Sequence, residues 1–101
     1  MSSILIWELL ALNTYFEEID FILLKWNKRE AKNFKNLVVE NSERLAKNPE
    51  IGIFIVKHNS YSLMISKQTI LYYDYDSESN QINLLLFWNT LKNPADLIKL
   101  L

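Results

Sequence analysis

Two apolar segments near the C-terminus, joined by four polar residues, are the feature that most constrains how this chain folds. The first, residues 69–76, is rich in aromatic and β-branched residues, which favour strands. The linking residues 77–80 have the composition of a turn. The second segment, residues 81–88, ends in five successive apolar residues from Leu84 to Trp88. A strand with one solvent-exposed face alternates apolar and polar residues. This unbroken apolar run therefore predicts a strand inside a sheet that is covered on both faces.

Length and composition set the broad class of the protein. The chain has 101 residues, half of them hydrophobic, which predicts a single globular domain over residues 1–101. It contains no cysteine, and this excludes disulfides and thiolate metal sites. The N-terminus lacks the pattern of a secretion signal, and no apolar run approaches the roughly 20 residues that cross a bilayer. We therefore expect a soluble, cytoplasmic protein without a membrane partner. A net charge of −1, with only Arg29 and Arg44 as arginines, gives no support for general nucleic-acid binding.

Residues 3–7 read as a short strand, and a helical pattern follows it. The spacing of five large apolar residues places them on one face of this first helix: Leu12, Phe16, Ile19, Leu23 and Trp26. Thr14 and Glu17 have the spacing of a capping box, but an earlier start near Leu9 is favoured.

Asn27 is predicted to cap a second helix, because Glu30 stands three residues later. This helix is expected from Lys28 to about Lys47, where Asn48-Pro49 ends it. Its apolar stripe consists of Ala31, Phe34, Leu37, Val38 and Leu45, interrupted by Asn41. Its cations are interleaved with acids and are interpreted as a solvated face: Lys28, Arg29, Lys32, Lys35 and Lys47. The short connection predicts an antiparallel helical hairpin.

The remaining segments complete an α+β fold. Residues 51–56 read as a strand, 57–60 as a turn, and 61–66 as an alternating strand with Leu63 and Ile65 on one side. The apolar residues 95–101 either form a last helical turn or await a partner. The predicted architecture is a strand, a two-helix antiparallel hairpin, an antiparallel sheet of three to four strands and a short C-terminal helical turn.

Catalytic motifs are sparse. One glycine cannot build a phosphate-binding loop, and no metal-ligand spacing occurs, so neither a metal nor another cofactor is expected. The only histidine, His58, lies in a predicted turn without a nucleophile motif around it. The carboxylates of Asp74, Asp76 and Glu78 are interpreted as solvated.

The order of these segments and parts of their local sequence resemble the RelE/ParE superfamily of bacterial toxins. The resemblance covers nearly the whole chain, and its most specific parts are Asn48-Pro49 followed by Gly52, the Leu71-Tyr72-Tyr73 strand, and 87–90 leading to Asn93-Pro94. It implies the toxin of a type II toxin–antitoxin system of the plasmid-stabilisation type, which inhibits growth and is neutralised by a cognate antitoxin. RelE-like members cleave mRNA on the ribosome, whereas ParE-like members poison DNA gyrase without a catalytic site.

The residues that would cleave RNA are weakly represented in this sequence. Candidates are Lys57, His58, Lys67 and Lys92 with Tyr73, or with Tyr61 or Tyr72 as the stacking aromatic. Many relatives carry arginine just before the strand at 62–66 and in the loop before the last proline. This chain has Tyr61 and Leu91 there, and lysine does not replace the planar fork of arginine on a phosphate.

We therefore predict a ParE-like, non-enzymatic toxin. The alternatives are a RelE-like ribosome-dependent mRNA endonuclease and a degenerate, non-toxic member that acts as a binding module. The residues expected to bind a partner are Trp88, Asn89, Lys92, Leu97 and Leu101, although Trp88 also suits a core position.

Overall fold

The computed structural model of the protein describes residues 2–101, and these form a five-stranded sheet with two long helices packed on one face. The elements in chain order are β1 (Ile4–Trp7), α1 (Leu9–Lys25), α2 (Lys28–Lys47), β2 (Ile53–Ile55), β3 (Ser60–Met64), β4 (Thr69–Asp76), β5 (Gln81–Asn89) and α3 (Pro94–Leu100). The strand order is β1-β5-β4-β3-β2. The predicted α+β class is confirmed: the four strands after the helices are antiparallel, and β1 joins them parallel to β5.

Strand β5 lies between β1 and β4, so the apolar run is inside the sheet as predicted. Its pairing with β4 contains a β-bulge: Tyr72 pairs with Leu86 and Tyr73 with Leu84, which leaves Leu85 as an extra residue. The extra residue reverses the alternation of the strand. Leu84 therefore belongs to the core beneath the helices, whereas Leu86 belongs to the cluster on the opposite face, and both side chains are fully buried.

Helix α1 begins at Leu9, which confirms the earlier of the two predicted starts. Thr14 is not a cap. Its hydroxyl group donates to the Leu10 carbonyl oxygen at 2.7 Å and accepts from the Phe87 N–H at 2.9 Å. Because β1 pairs only with residues 81–84 of β5, Thr14 satisfies a backbone donor that β1 does not reach.

The expected buried stripe of α1 was largely wrong. Of its five members only Ile19 is buried, and the other four are 42–56% exposed: Leu12, Phe16, Leu23 and Trp26. The face turned inward carries Ala11, Thr14, Glu18 and Ile19. A small residue and two polar ones lie on this side because α1 packs against β5 and hydrogen bonds the ends of the strands. We call the exposed residues Leu12, Phe16 and Leu23 the α1 stripe.

Helix α2 matches its prediction at both ends. The Asn27 side chain accepts from the Glu30 N–H at 2.9 Å, and the helix ends at Lys47. The buried residues are Ala31, Phe34, Val38, Asn41 and Leu45. Asn41 tolerates burial because its side chain donates to the Leu37 carbonyl oxygen and accepts from Arg44. The cations of this helix are all exposed, as predicted.

The turn between β4 and β5 is held by Asp76. One carboxylate oxygen of Asp76 accepts from the Glu78 N–H at 3.0 Å, and the other accepts from the Ser79 hydroxyl at 2.9 Å. These hydrogen bonds, that of Ser79 foremost, hold the pKa of the Asp76 carboxyl below its usual range. Asn80 completes the turn with a φ of 55°. The predicted hairpin is confirmed.

The second face of the sheet carries a smaller cluster made of Tyr72, Leu86 and Trp88. Helix α3 packs on this cluster through Leu97 and Leu101, so the C-terminal residues form the helical turn that was one of the two expectations. Asn93 caps the helix by accepting from the Ala95 N–H at 3.0 Å. Ile98 and Leu100 stay exposed. Within residues 2–101, no helix has both the length and the apolar character needed to cross a bilayer.

Candidate functional site at the end of strand β5

The five residues predicted to bind a partner come together where β5 ends and α3 begins. Trp88 is only 6% exposed, and the apolar side chains of Leu97 and Leu101 pack against its cluster. Of the two positions considered for Trp88, the structure therefore shows the buried core position. The surface above Trp88 is formed by α3 and by the loop that leads into it.

Asn89 is buried and organises this loop. Its side-chain carbonyl oxygen accepts from the Leu91 N–H at 2.8 Å, and its amide group donates to Glu18 Oε2 at 3.3 Å. The same Glu18 oxygen accepts from the Thr69 hydroxyl at 2.7 Å. Asn89 thus ties the end of β5 to α1 and supports the site from below rather than presenting itself to a partner.

Lys92 is the exposed member of the site. Its ammonium group lies 3.7 Å from a carboxylate oxygen of Glu17 and 5.7 Å from the centroid of the Trp88 ring. A cation above an aromatic ring and beside a carboxylate is held in place by both. The exposed surface at this end therefore combines the apolar side chains of Ile98 and Leu100 with the ammonium groups of Lys92 and Lys99.

The candidates for RNA cleavage are divided between two ends of the sheet. Lys67 lies in the connection from β3 to β4, and Lys92 follows β5, so these two share one end. Lys57 and His58 lie in a 3-10 turn before β3, which is five residues long. Along a strand this separates the two pairs by roughly 13 Å. At the level of the backbone, the four candidates therefore form two separate pairs rather than one cluster.

Tyr73 lies in the core rather than in a cleft. Its hydroxyl group donates to the Pro49 carbonyl oxygen at 2.8 Å and accepts from the Gly52 N–H at 3.0 Å. Its ring stacks on Tyr61 with a centroid separation of 5.1 Å. Burial raises the pKa of the Tyr73 phenol above its usual value, against a lowering by the Gly52 hydrogen bond. Both hydrogen-bonding functions of the phenol are thus used within the protein.

Sequence reasoning missed Glu18, the buried carboxylate that links Asn89 and Thr69. Ala11, Thr14 and Glu18 follow one another by three and four residues, and this spacing could have indicated a small, polar inward face. In the part of the chain that the structure describes, no three side chains of histidine or acidic residues meet as a metal site would require.

Solved structures share this fold. An arginine-to-alanine double mutant of the Escherichia coli toxin RelE in the free state superposes with a TM-score of 0.64, at 12% identity over 98% of this chain and 93% of that one. The fold is that of RelE. The RelBE2 toxin–antitoxin complex of Mycobacterium tuberculosis gives a TM-score of 0.64 at 15% identity, over 88% of this chain and 99% of that one. The intact RelBE complex of Escherichia coli gives 0.56 at 15% identity, over 87% and 96%. The sequence matches no protein-family model and no curated protein.

Proposed function

We propose that this protein is a toxin of a toxin–antitoxin pair and that it acts by binding, not by catalysis, in the manner of ParE-like poisons of DNA gyrase. The RelE fold along most of the chain supports the toxin class. The separation of Lys57 and His58 from Lys67 and Lys92 supports the non-enzymatic mode, because metal-free cleavage of RNA needs its cations and its acid and base at one phosphate.

The partner that neutralises the toxin is a cognate antitoxin. Two surfaces suit it: the outer side of α3, where Ile98 and Leu100 are exposed beside Lys92, and the α1 stripe of Leu12, Phe16 and Leu23. Contiguous exposed apolar residues on a small protein are typical of interaction surfaces.

Ribosome-dependent cleavage of mRNA is the second candidate. Lys67 and Lys92 share one end of the sheet and are both exposed, so a cationic contact with RNA is sterically open there. The missing arginines and the buried phenol of Tyr73 weigh against it.

The test is induced expression of the full-length protein with three readouts: growth, primer extension on a reporter transcript and plasmid supercoiling. We expect growth arrest with intact mRNA and with broken or unrelaxed DNA, relieved by co-expression of the product of an adjoining, antitoxin-sized reading frame. A Lys67→Ala/Lys92→Ala variant serves as the matched control, since it removes the cations that the endonuclease would need.

If growth arrest is accompanied by mRNA cleavage, and the double variant abolishes that cleavage, the protein is an mRNA endonuclease and not a gyrase poison. Unimpaired growth at full expression would leave only a non-toxic binding module.

A further inference from the structure

Glu18 is a buried carboxylate that the proposed function does not use. It is 4% exposed, and its two hydrogen bonds, from the Thr69 hydroxyl and the Asn89 amide, both end on Oε2. Among residues 2–101, the ion pairs join Lys92 to Glu17 and Lys99 to Asp96, so no cation neutralises Glu18. An ionised carboxylate away from water is unfavourable unless a charge or several donors compensate it. Within residues 2–101 no hydrogen bond ends on Oε1, so this oxygen can accept from a ligand.

Glu18 also lines a cavity of about 410 Å³ between the helical hairpin and the connection from β3 to β4. Its walls include the apolar side chains of Ile22, Trp26, Phe34 and Leu37. The charged side chains that line it are two carboxylates, Glu18 and Glu30, and one ammonium group, Lys67, so the lining itself is net negative, while five cations lie on the adjoining hairpin tip within residues 25–35. A volume of this size falls within the range of about 300–1,000 Å³ that is usual for small-molecule sites.

We propose that this cavity binds an organic cation, specifically a guanidinium group on an apolar stem, with Glu18 as its counter-ion. Guanidinium is weakly hydrated, stacks on aromatic faces and presents several donors to a carboxylate, and this suits a cavity with aromatic walls and one free carboxylate oxygen. The ligand is either a free small molecule or the arginine side chain of a partner polypeptide.

The experiment is an NMR titration of the purified full-length protein with n-butylguanidinium, and with n-butylurea as the neutral isostere. We expect n-butylguanidinium to shift the Trp26 indole and Thr69 amide signals saturably, and n-butylurea to leave them unchanged. Equal shifts from the two probes, or no saturable shift from n-butylguanidinium, would overturn the proposal.

Variants locate the binding. Glu18→Gln is expected to weaken n-butylguanidinium by at least about tenfold, since it removes a charge-assisted contact. Asp20→Asn removes an exposed carboxylate of the same helix and is the matched control, expected to bind as the parent does. If Glu18→Gln fails to fold, Trp26→Leu decides, because Trp26 is 56% exposed and its replacement spares the core. A loss of about threefold is expected there. If the Trp26→Leu variant, or a folded Glu18→Gln variant, binds n-butylguanidinium as tightly as the parent does, the proposed site is refuted.

A capped Ala-Arg-Ala tripeptide distinguishes the two sources. If the cavity serves a partner polypeptide, the tripeptide binds more tightly than n-butylguanidinium. If it serves a free small molecule, the flanking residues interfere and the tripeptide binds more weakly. Both results keep the guanidinium site and name its source, and neither depends on the toxin activity.

Discussion

At Gly52, an added Cβ would lie 2.7 Å from the Ser62 carbonyl oxygen and 2.7 Å from the Tyr73 hydroxyl oxygen. Neither atom has room to move away, because the carbonyl belongs to β3 and the phenol is fixed by hydrogen bonds to Gly52 and Pro49. The φ of Gly52 is not positive, so the glycine is required for space rather than for an unusual backbone conformation. The segment after α2 is thereby fastened to the centre of the sheet.

Gly52→Ala is therefore expected to lower the free energy of unfolding by about 1–3 kcal/mol, the usual cost of overpacking. Urea denaturation followed by circular dichroism measures it. Tyr73→Phe is the partner variant: it removes one of the two clashing oxygens, so Gly52→Ala should cost less in its presence than alone. If the single Gly52→Ala variant were as stable as the parent, the segment around Gly52 would be able to move away from Ser62 and Tyr73, and the explanation from close contacts would be wrong.

The elements of this fold differ in how far sequence predicts them. The β4–β5 hairpin and α2 follow their predicted bounds closely, because a turn held by Asp76 and a cap at Asn27 are local signals. The inward face of α1 was predicted wrongly, because this helix carries large apolar residues on most sides and their spacing alone does not choose between those sides. Its orientation is decided by Thr14 and Glu18, whose partners at Phe87 and Asn89 lie more than seventy residues away.

The candidate site shows the same division. The sequence predicted partner-binding residues at Trp88, Asn89, Lys92, Leu97 and Leu101, but the burial of Trp88 depends on α3 folding back over the sheet. The parallel pairing of β1 with β5 and the bulge at Leu85 are likewise long-range features. Local patterns carry no information on such contacts, because they depend on which surfaces meet after the elements have formed.

Helix α3 is the element on which the burial of Trp88 depends. Removal of residues 94–101, in a background where Trp7 and Trp26 are replaced by phenylalanine, is expected to red-shift the Trp88 fluorescence and to increase its quenching by acrylamide. The lost contacts of Leu97 and Leu101 should also reduce the free energy of unfolding by about 1–3 kcal/mol.

Ile98→Ser in the same background is the control for this truncation. Ile98 is 58% exposed on α3, so its replacement should leave the emission of Trp88 unchanged. An unaltered spectrum in the truncated protein would mean that α3 does not cover the ring.

The molecule as a whole distributes its charges unevenly despite a net charge of −1. Five of its eleven cations fall within residues 25–35, at the tip of the helical hairpin, with Glu30 as the one acid there. Lys67 and Lys92 lie at the same end of the sheet and are exposed, Lys92 with a single ion pair to Glu17. Exposed charges of this kind affect which partners approach more than they affect folding.

The double variant Lys67→Ala/Lys92→Ala is accordingly expected to change the free energy of unfolding by no more than about 0.5 kcal/mol. Thermal unfolding at two salt concentrations measures it. Leu45→Ala, which truncates a fully buried residue, is the positive control and should cost about 2–5 kcal/mol. A large loss of melting temperature in the lysine variant would contradict the surface placement of both side chains.

The bulge at Leu85 has one more consequence. Past this residue β5 is out of phase with its own beginning, which is how one strand supplies Phe87 to the layer under the long helices and Trp88 to the layer under α3. If the chain were one residue shorter here, Phe87 would face the smaller cluster under α3 and Trp88 would face the larger core under the long helices. The number of residues in β5 is therefore constrained as tightly as their types. Deletion of Leu85 would disrupt the packing of both layers.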